Sequence, residues 1–155
     1  MDYFTILHQR MGNAPIILTG AAGAVVKDGK ILLVRRHNLS QTWGVPGGVQ
    51  ELGETIQETA RREVLEEVGL DLQPAGLIAV FSGPQWDIFL NDGGKIQQLT
   101  FFFQMEGPIN EIAIQESEVA EWGFFAPDDL PEPMMPCCRQ KVLDWANHQG
   151  ETIFR

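Results

Sequence analysis

The most restrictive feature of the sequence is the segment 55–68, in which apolar and acidic residues both recur at helical spacing. At about 100° per residue, its apolar side chains form one stripe: Ile56, Ala60, Val64 and Val68. Glu67 projects only about 20° from Ile56, so its carboxylate lies on the face that should be buried. Gly69 stands where a C-cap glycine belongs. The segment therefore predicts an amphipathic helix with an inward-facing glutamate.

Two further glutamates, Glu63 and Glu66, share the side of the predicted helix that carries Glu67. Like charges three and four residues apart repel by roughly 0.2–0.5 kcal/mol per pair even when exposed. Burial raises this cost. A bound divalent cation removes the conflict, because Mg²⁺ takes oxygen ligands from carboxylates and from substrate phosphates. The alternative interpretation is a solvated acidic face, against which the inward position of Glu67 argues.

A glycine loop, Pro46-Gly47-Gly48, precedes this helix. Glycine lets the backbone approach a ligand closely and can leave a carbonyl free for a metal. A Gly-Gly pair alone is equally typical of a simple turn. Next to the acidic helix, the loop favours a site for a metal and a phosphate.

The 155 residues predict one domain, 1–155, without linkers or repeats. A net charge of −10 argues against polymeric nucleic acid, but a phosphorylated small molecule can still bind through a divalent cation. No apolar run reaches the roughly 18 residues of a membrane span, and the N-terminus lacks the pattern of a signal peptide. Cys137 and Cys138 are adjacent and suggest no disulfide framework. We therefore expect a cytoplasmic protein without membrane partners.

The order of the predicted elements favours an α+β sandwich. Residues 1–13 predict a short amphipathic N-terminal element, and 137–148 a closing helix with Val142 and Trp145 on one side. The predicted strands are 16–26, 31–36, 75–83, 97–105 and 121–125.

The acidic helix and its flanks resemble the Nudix (MutT-type) box, G-x5-E-x7-R-E-U-x-E-E-x-G-U with U apolar. The residues within 48–70 that match it are Gly48, Glu54, Arg62, Glu63, Val64, Glu66, Glu67, Gly69 and Leu70. The segments LLVRR, TWGVPGG and EWGFFAPDDLP also look like the family's pattern, so the resemblance covers roughly 19–131. Residues 1–13 form an extension before it.

This resemblance implies a Nudix fold, a mixed β-sheet sandwiched between helices. It also implies hydrolysis of a diphosphate linkage in a nucleoside diphosphate joined to another group, X, with Mg²⁺ or Mn²⁺ as cofactor. The implied metal ligands are carboxylates and one backbone carbonyl: Glu63, Glu66, Glu67, Glu116 and the carbonyl of Gly47. Glu118 competes with Glu116 for the loop position. Glu54 and Arg62 resemble the pair that braces the loop and the helix.

The catalytic candidates are the same four carboxylates: Glu63, Glu66, Glu67 and Glu116. Metal ions neutralise phosphate charge and lower the pKa of a bound water, which attacks phosphorus. A carboxylate must take the proton, and Glu63 is the first candidate for this base, with Glu116 the second.

Candidate substrate contacts lie outside the box. Arg36 could contact a phosphate, although an arginine at a strand end is about as often solvated. Trp43, Phe81 and Trp86 could stack on a nucleobase, and apolar packing is the competing role for each of them.

Three functions stay open at this point. The first is hydrolysis of a nucleoside diphosphate derivative, with an ADP-ribose-like compound as one candidate. The second is a nucleoside triphosphate pyrophosphohydrolase of the sanitising type. The third is a non-catalytic nucleotide-binding domain, which should lose the box carboxylates that this chain keeps.

The N-terminal segment 1–13 also bears on assembly. It is too short to be a stable helix alone, so it must pack on its own domain or on a second copy. Two-fold dimers are the commonest soluble oligomers. We therefore expect a homodimer with this segment in the contact.

Overall fold

The computed structural model describes residues 1–37 and 41–155, and its strands fall into two sheets. The helices are α1 (Tyr3–Met11), α2 (Ile56–Val68) and α3 (Pro136–Ala146). The strands are β1 (Ile16–Ala24), β2 (Val26–Lys27), β3 (Lys30–Arg36), β4 (Trp43–Gly44), β5 (Gly47–Val49), β6 (Gln73–Phe81), β7 (Ile88–Phe89), β8 (Lys95–Glu106), β9 (Val119–Phe125) and β10 (Ile153–Phe154). A short 3₁₀ helix, Pro84–Trp86, lies between β6 and β7.

The larger sheet has the strand order β10-β6-β8-β1-β5, with β7 also paired to β8. In it, β1 runs parallel to β8 and antiparallel to β5, while β6 and β8 are antiparallel. The sheet is therefore mixed, and the predicted α+β fold is confirmed. Pairing of Ala21 with Gly48 and of Ala22 with Gly47 fixes the glycine loop against β1.

The smaller sheet is antiparallel: β3 pairs with β2 and β4 along one edge and with β9 along the other. Four consecutive apolar residues of β3, Ile31 to Val34, have no exposed surface. Such a continuous apolar run is expected where both faces of a strand are covered. The pairing of β3 with β9 shifts register between Arg35 and Arg36, next to the end of the strand.

Two hydrophobic cores lie on opposite faces of the strands. Helix α3 contributes to the first core, which includes Ile31, Leu33, Phe81, Phe102 and Val142. Helix α2 contributes to the second, which includes Leu32, Val34, Val64, Val68 and Phe103. Because side chains alternate along a strand, β3 supplies both cores. The strands are thus sandwiched between α2 and α3.

Local signals set both ends of α2. The Thr55 hydroxyl accepts a hydrogen bond from the Glu58 N–H at 3.2 Å, and the Glu58 carboxylate accepts from the Thr55 N–H at 2.7 Å. This reciprocal capping box satisfies two otherwise unpaired donors. At the other end, Gly69 adopts φ +74° and donates its N–H to the Leu65 carbonyl. Only glycine adopts this left-handed conformation without cost, so the helix ends there.

Helix α1 packs on its own chain without a buried residue. Its first N–H, from Tyr3, donates to the Glu51 carboxylate, and His8 lies 2.8 Å from Asp92. The N-terminal element is therefore helical, as predicted, and attached at both ends to loops of the same chain. Within the described part of the chain, no helix is long and apolar enough to cross a membrane.

The sequence did not predict four short strands: β4, β5, β7 and β10. Strands β4 and β5 lie in a glycine- and proline-rich segment that favours a loop, and their pairing partners are distant in sequence. Strand β10 pairs in parallel with β6, where Ile153 lies opposite Ala79. Cys137 and Cys138 are buried in the first core as free thiols.

Replacement of Thr55 by alanine tests the capping box. We expect Thr55→Ala to lower the free energy of unfolding by about 1 kcal/mol, because the Glu58 N–H loses its acceptor. Denaturant unfolding measures the loss, with Gln57→Ala at an exposed position of the same helix as the control. Equal midpoints for the two variants would contradict the role of the cap.

Candidate functional site

The centre of the candidate site is the carboxylate of Glu67, a residue with 2% of its surface exposed. Burial raises its pKa, and the nearby charge of Arg36 acts in the opposite direction. Arg36 donates from Nε to Glu67 Oε1 at 2.7 Å and from Nη2 to Oε2 at 2.9 Å. This bidentate pair joins the last residue of β3 to the last turn of α2. Glu67 thus points inward, as the helical periodicity predicts.

The glycine loop shares this carboxylate and this guanidinium. The Gly47 N–H donates to Glu67 Oε2 at 3.1 Å. Arg36 Nη2 also donates to the carbonyls of Gly47, at 3.1 Å, and Val45, at 3.0 Å. Arg36 is therefore neither solvated nor directed at an outside ligand, the two roles that the sequence suggests. It connects β3, the glycine loop and α2.

Glu63 lies one turn before Glu67 and packs directly against the glycine loop. A Cβ atom at Gly48 would overlap the Glu63 carboxylate, so a larger residue there would push this carboxylate away from the loop. Burial raises the pKa of Glu63 to about 7, although its contact with Arg62, at 2.8 Å, opposes the shift. The charges of Glu67 and Glu66 add to the rise. A carboxyl group with this pKa can exchange a proton near neutral pH.

Glu54 and Arg62 form the brace that the sequence resemblance implies. Arg62 donates from Nε to Glu54 Oε1 at 2.6 Å and from Nη2 to Oε2 at 3.1 Å. Its Nη2 also reaches the Val49 carbonyl at 3.0 Å. Hydrogen bonding to Arg62 lowers the pKa of Glu54, with further donors from the backbone of Glu51 and the hydroxyl of Thr59. The brace ties the end of β5 and the following loop to α2.

The remaining predicted carboxylates are more exposed. The side chain of Glu66 is 51% exposed and contacts Arg62 at 3.1 Å. Glu116 and Glu118 lie in the turn before β9, where Gln115 donates its N–H to the backbone carbonyl of Glu67. Of these two, Glu118 is the one whose charge raises the pKa of Glu67.

The donors at this site suit a hard divalent cation. They are carboxylate oxygens and a glycine carbonyl, the ligand types that Mg²⁺ and Mn²⁺ prefer. In the described ranges, no three acidic, cysteine or histidine side chains are grouped closely enough to form a complete metal site. Glu67 and the Gly47 carbonyl instead contact Arg36.

The three aromatic candidates differ in exposure. Phe81 has no exposed surface, and its ring contacts Trp86 edge-on with the centroids 5.3 Å apart. Of the two roles open to Phe81, base stacking and apolar packing, this burial supports packing, because stacking needs an accessible ring face. Trp43 is 9% exposed and packs edge-on against Phe125, so it also belongs to the core. Trp86 is only partly buried and stays a candidate.

Sequence reasoning did not single out Lys141, a buried cation on α3. The residue is 4% exposed, and its Nζ lies 4.9 Å from the centroid of the Phe81 ring. The ring face stabilises the ammonium group. Helical spacing contains a signal for it, since Lys141 follows the buried Cys137 and Cys138 by one turn and adjoins Val142.

A model of the NUDIX domain matches residues 18–146 of this chain. The chain belongs to the Nudix family. A MutT-like protein of Streptomyces ambofaciens is 31% identical to this Nudix chain over 94% of its length and 87% of the relative's. An ADP-ribose pyrophosphatase of Methanocaldococcus jannaschii is 33% identical over 71% of this chain and 62% of its own length. A putative 8-oxo-dGTP diphosphatase of Bacillus subtilis is 30% identical over 76% and 72%, respectively.

Solved structures agree with this assignment. A MutT NUDIX hydrolase from Burkholderia pseudomallei has a TM-score of 0.68 and 28% identity, covering 83% of this chain and 98% of its own. The Nudix fold and the resemblance seen in the box are thereby confirmed, and this Nudix protein is a hydrolase. The predicted N-terminal extension, 1–13, lies outside the range that the family model matches.

The Glu54–Arg62 brace of the Nudix box can be tested through its charge. We expect Glu54→Gln to lower the free energy of unfolding by about 1.5–3 kcal/mol at pH 7, because two charge-assisted hydrogen bonds lose the carboxylate. The pKa of Glu54 is lowered by folding, so this stabilisation is present above its unfolded value and is lost as the pH falls. The difference between wild type and variant should therefore shrink below about pH 4.

Denaturant unfolding at several pH values measures this difference. Asp71→Asn is the matched control, since Asp71 forms an exposed pair with Arg61 on the same helix and should change stability little. A loss for Glu54→Gln that does not vary with pH would contradict an ionic brace.

Proposed function

We propose that this chain is a metal-dependent hydrolase that cleaves the diphosphate linkage of nucleoside diphosphate derivatives. The observation that carries the proposal is the burial of the Glu67 carboxylate beside a partly buried one, that of Glu63, and beside a glycine carbonyl. Burying acidic groups together is costly, and a structural role alone would be better served by apolar residues. Nudix hydrolases generally use divalent metal ions, which supports the same conclusion.

The residues proposed to hold Mg²⁺ or Mn²⁺ supply oxygen atoms only: Glu63, Glu66, Glu67, the Gly47 carbonyl and a loop carboxylate. Glu118 is better supported than Glu116 for the loop position, because its charge acts on Glu67. Bound there, the metal would neutralise phosphate charge and activate water.

The chain's own contribution to the chemistry is orientation and proton transfer. Gly48 lets the Glu63 carboxylate lie against the loop backbone, and the contact with Arg62 holds it there. Held in this position, the Glu63 carboxylate can accept a proton at Oε1 or Oε2, as a general base must. Glu63 therefore stays the first candidate for the base, and Glu116 is the second, with Glu118 as its competitor.

The identity of the substrate divides this proposal into two versions. The first is a nucleoside diphosphate joined to X, with an ADP-ribose-like compound as the leading example, in line with the name of the archaeal relative. The second is a nucleoside triphosphate of the sanitising type, in line with the name of the Bacillus relative. Trp86 is the aromatic contact best supported by exposure. A substrate panel with Mg²⁺, scored for phosphate, pyrophosphate or nucleoside monophosphate, separates the two versions.

Replacement of Glu67 by glutamine tests the metal-dependent reaction. We expect Glu67→Gln to lower kcat by orders of magnitude on the substrate that the panel identifies, because a ligand charge is lost while the volume is kept. The melting temperature of the wild type should rise with Mg²⁺ or Mn²⁺ through linkage, and that of the variant should rise less.

The control variant is Glu121→Gln, which removes an exposed carboxylate on β9 that pairs with Arg35. It should keep both the activity and the response to metal. Activity of Glu67→Gln within a few-fold of wild type would refute the assignment.

The quaternary structure and the location belong to the same proposal. We propose a cytoplasmic homodimer in which α1 contributes to the contact, because this helix has no buried residue and Met11 is 48% exposed. Light scattering should give a dimer for the full chain and a smaller mass for a chain that starts at Ala14. A monomeric mass of the full chain at tens of micromolar would contradict the dimer, and the contacts of α1 with Glu51 and Asp92 would then be its whole role.

A further inference from the structure

Arg36 contacts the same atoms that the proposed function gives to the metal. Its guanidinium donates to both carboxylate oxygens of Glu67 and to the carbonyl oxygen of Gly47. The side chain of Arg36 is 18% exposed and that of Glu67 is 3% exposed, so the pair is largely shielded from water. An internal cation thus lies where a divalent cation would find two of its ligands.

We propose that Arg36 is a placeholder for the divalent cation. In the metal-free protein it neutralises Glu67 and orients the Gly47 carbonyl, and it leaves both when the cation binds. Arg36 is thus a positioning residue that keeps two ligands in place and competes with the metal for them. This inference rests on the proposed function, since it assumes that Glu67 and Gly47 are metal ligands.

The geometry makes the two cations competitors. Oε2 of Glu67 already accepts hydrogen bonds from Arg36 Nη2 and from the Gly47 N–H, and Oε1 accepts from Arg36 Nε. A carboxylate oxygen has about two lone-pair sites, so Oε2 has none left for a metal. A guanidinium in contact with the same carboxylate would also repel a divalent cation. Arg36 must therefore move away before Glu67 can act as a ligand through Oε2.

The acidic surroundings explain why the metal-free protein needs such a residue. The charge of Glu67 raises the pKa of Glu63, and the charge of Glu118 raises the pKa of Glu67. A carboxylate buried among other acids without a cation is strongly destabilising. Arg62 already contacts Glu54, Glu63 and Glu66, so Arg36 is the arginine that reaches Glu67.

The wild-type protein gives the first test, by NMR of its arginine Nε–H groups during titration with Mg²⁺. In the metal-free protein, the Arg36 Nε–H should give a protected signal, which the Arg36→Lys variant identifies by its absence. We expect this signal to shift and lose protection as Mg²⁺ saturates the protein. A signal that stays unchanged at saturation would overturn the proposal.

Affinity for Mn²⁺ gives the second test, measured from free Mn²⁺ by electron paramagnetic resonance without substrate. Arg36→Met removes the charge and keeps a similar length of side chain, so Mn²⁺ should bind more tightly, by about tenfold within the 5–150-fold range of typical couplings. Arg35→Met is the matched control, because the neighbouring Arg35 pairs with Glu121 at the surface and should leave the affinity unchanged. Equal or weaker binding in Arg36→Met would overturn the proposal.

These tests separate failure of the inference from failure of the proposed function. Wild-type protein that takes up neither Mg²⁺ nor Mn²⁺ would refute both. Protein that binds the metal through Glu67, with an unchanged Arg36 signal and no gain of affinity in Arg36→Met, would refute the placeholder alone. If Arg36→Met does not fold, the titration of the wild type decides.

Discussion

The burial of one carboxylate, that of Glu67, determines how the elements around it must be arranged. An acid with 2% exposure needs donors, and two segments supply them: the end of β3 through Arg36 and the glycine loop through the Gly47 N–H. Helix α2 carries Glu67 itself. None of these segments could shift without leaving a buried charge unpaired, which typically costs several kcal/mol. The contacts of Glu67 therefore fix the position of α2 against the sheets and the geometry of the site together.

The glycine loop allows the close approach of backbone and side chains that this arrangement needs. It pairs with β1 through Ala21 and Ala22, where a Cβ atom at Gly47 would overlap the backbone of β1, and its Gly48 lies against the Glu63 carboxylate. Small residues on β1 and glycines on β5 bring the helix close enough for backbone atoms, and not only side chains, to line the site. A backbone carbonyl held this way is a rigid oxygen donor, and its position depends on strand pairing rather than on a rotamer.

The sequence predicted those parts of the structure that interactions between residues close in sequence determine. The predicted helical segment 55–68 with Gly69 as its C-cap agrees with α2, and the inward position of Glu67 follows from helical periodicity. The Arg36–Glu67 pair joins residues 31 positions apart, and no pattern in the sequence marks it. For Phe81, a strand pattern cannot distinguish the core face from a ligand face, since both are apolar. Strand β5 was not predicted, because its glycines have low strand propensity and it is a strand only through its pairing with β1.

The two arginines of the site have different surroundings, and this difference bears on what each can do. Arg62 spreads its donors over Glu54, Glu63, Glu66 and the Val49 carbonyl, so the loss of any one contact leaves others in place. Among the described residues, the carboxylate that Arg36 contacts is that of Glu67, and its other hydrogen bonds go to the loop carbonyls of Val45 and Gly47. A divalent cation in place of Arg36 would neutralise the Glu67 carboxylate and contact the Gly47 carbonyl, as that arginine does. Loss of Arg62 would instead free the loop that holds Glu54 and Val49. Because the acceptors of Arg62 and Arg36 do not overlap, a permanent brace at Arg62 is compatible with the exchange of Arg36 for a divalent cation that we propose.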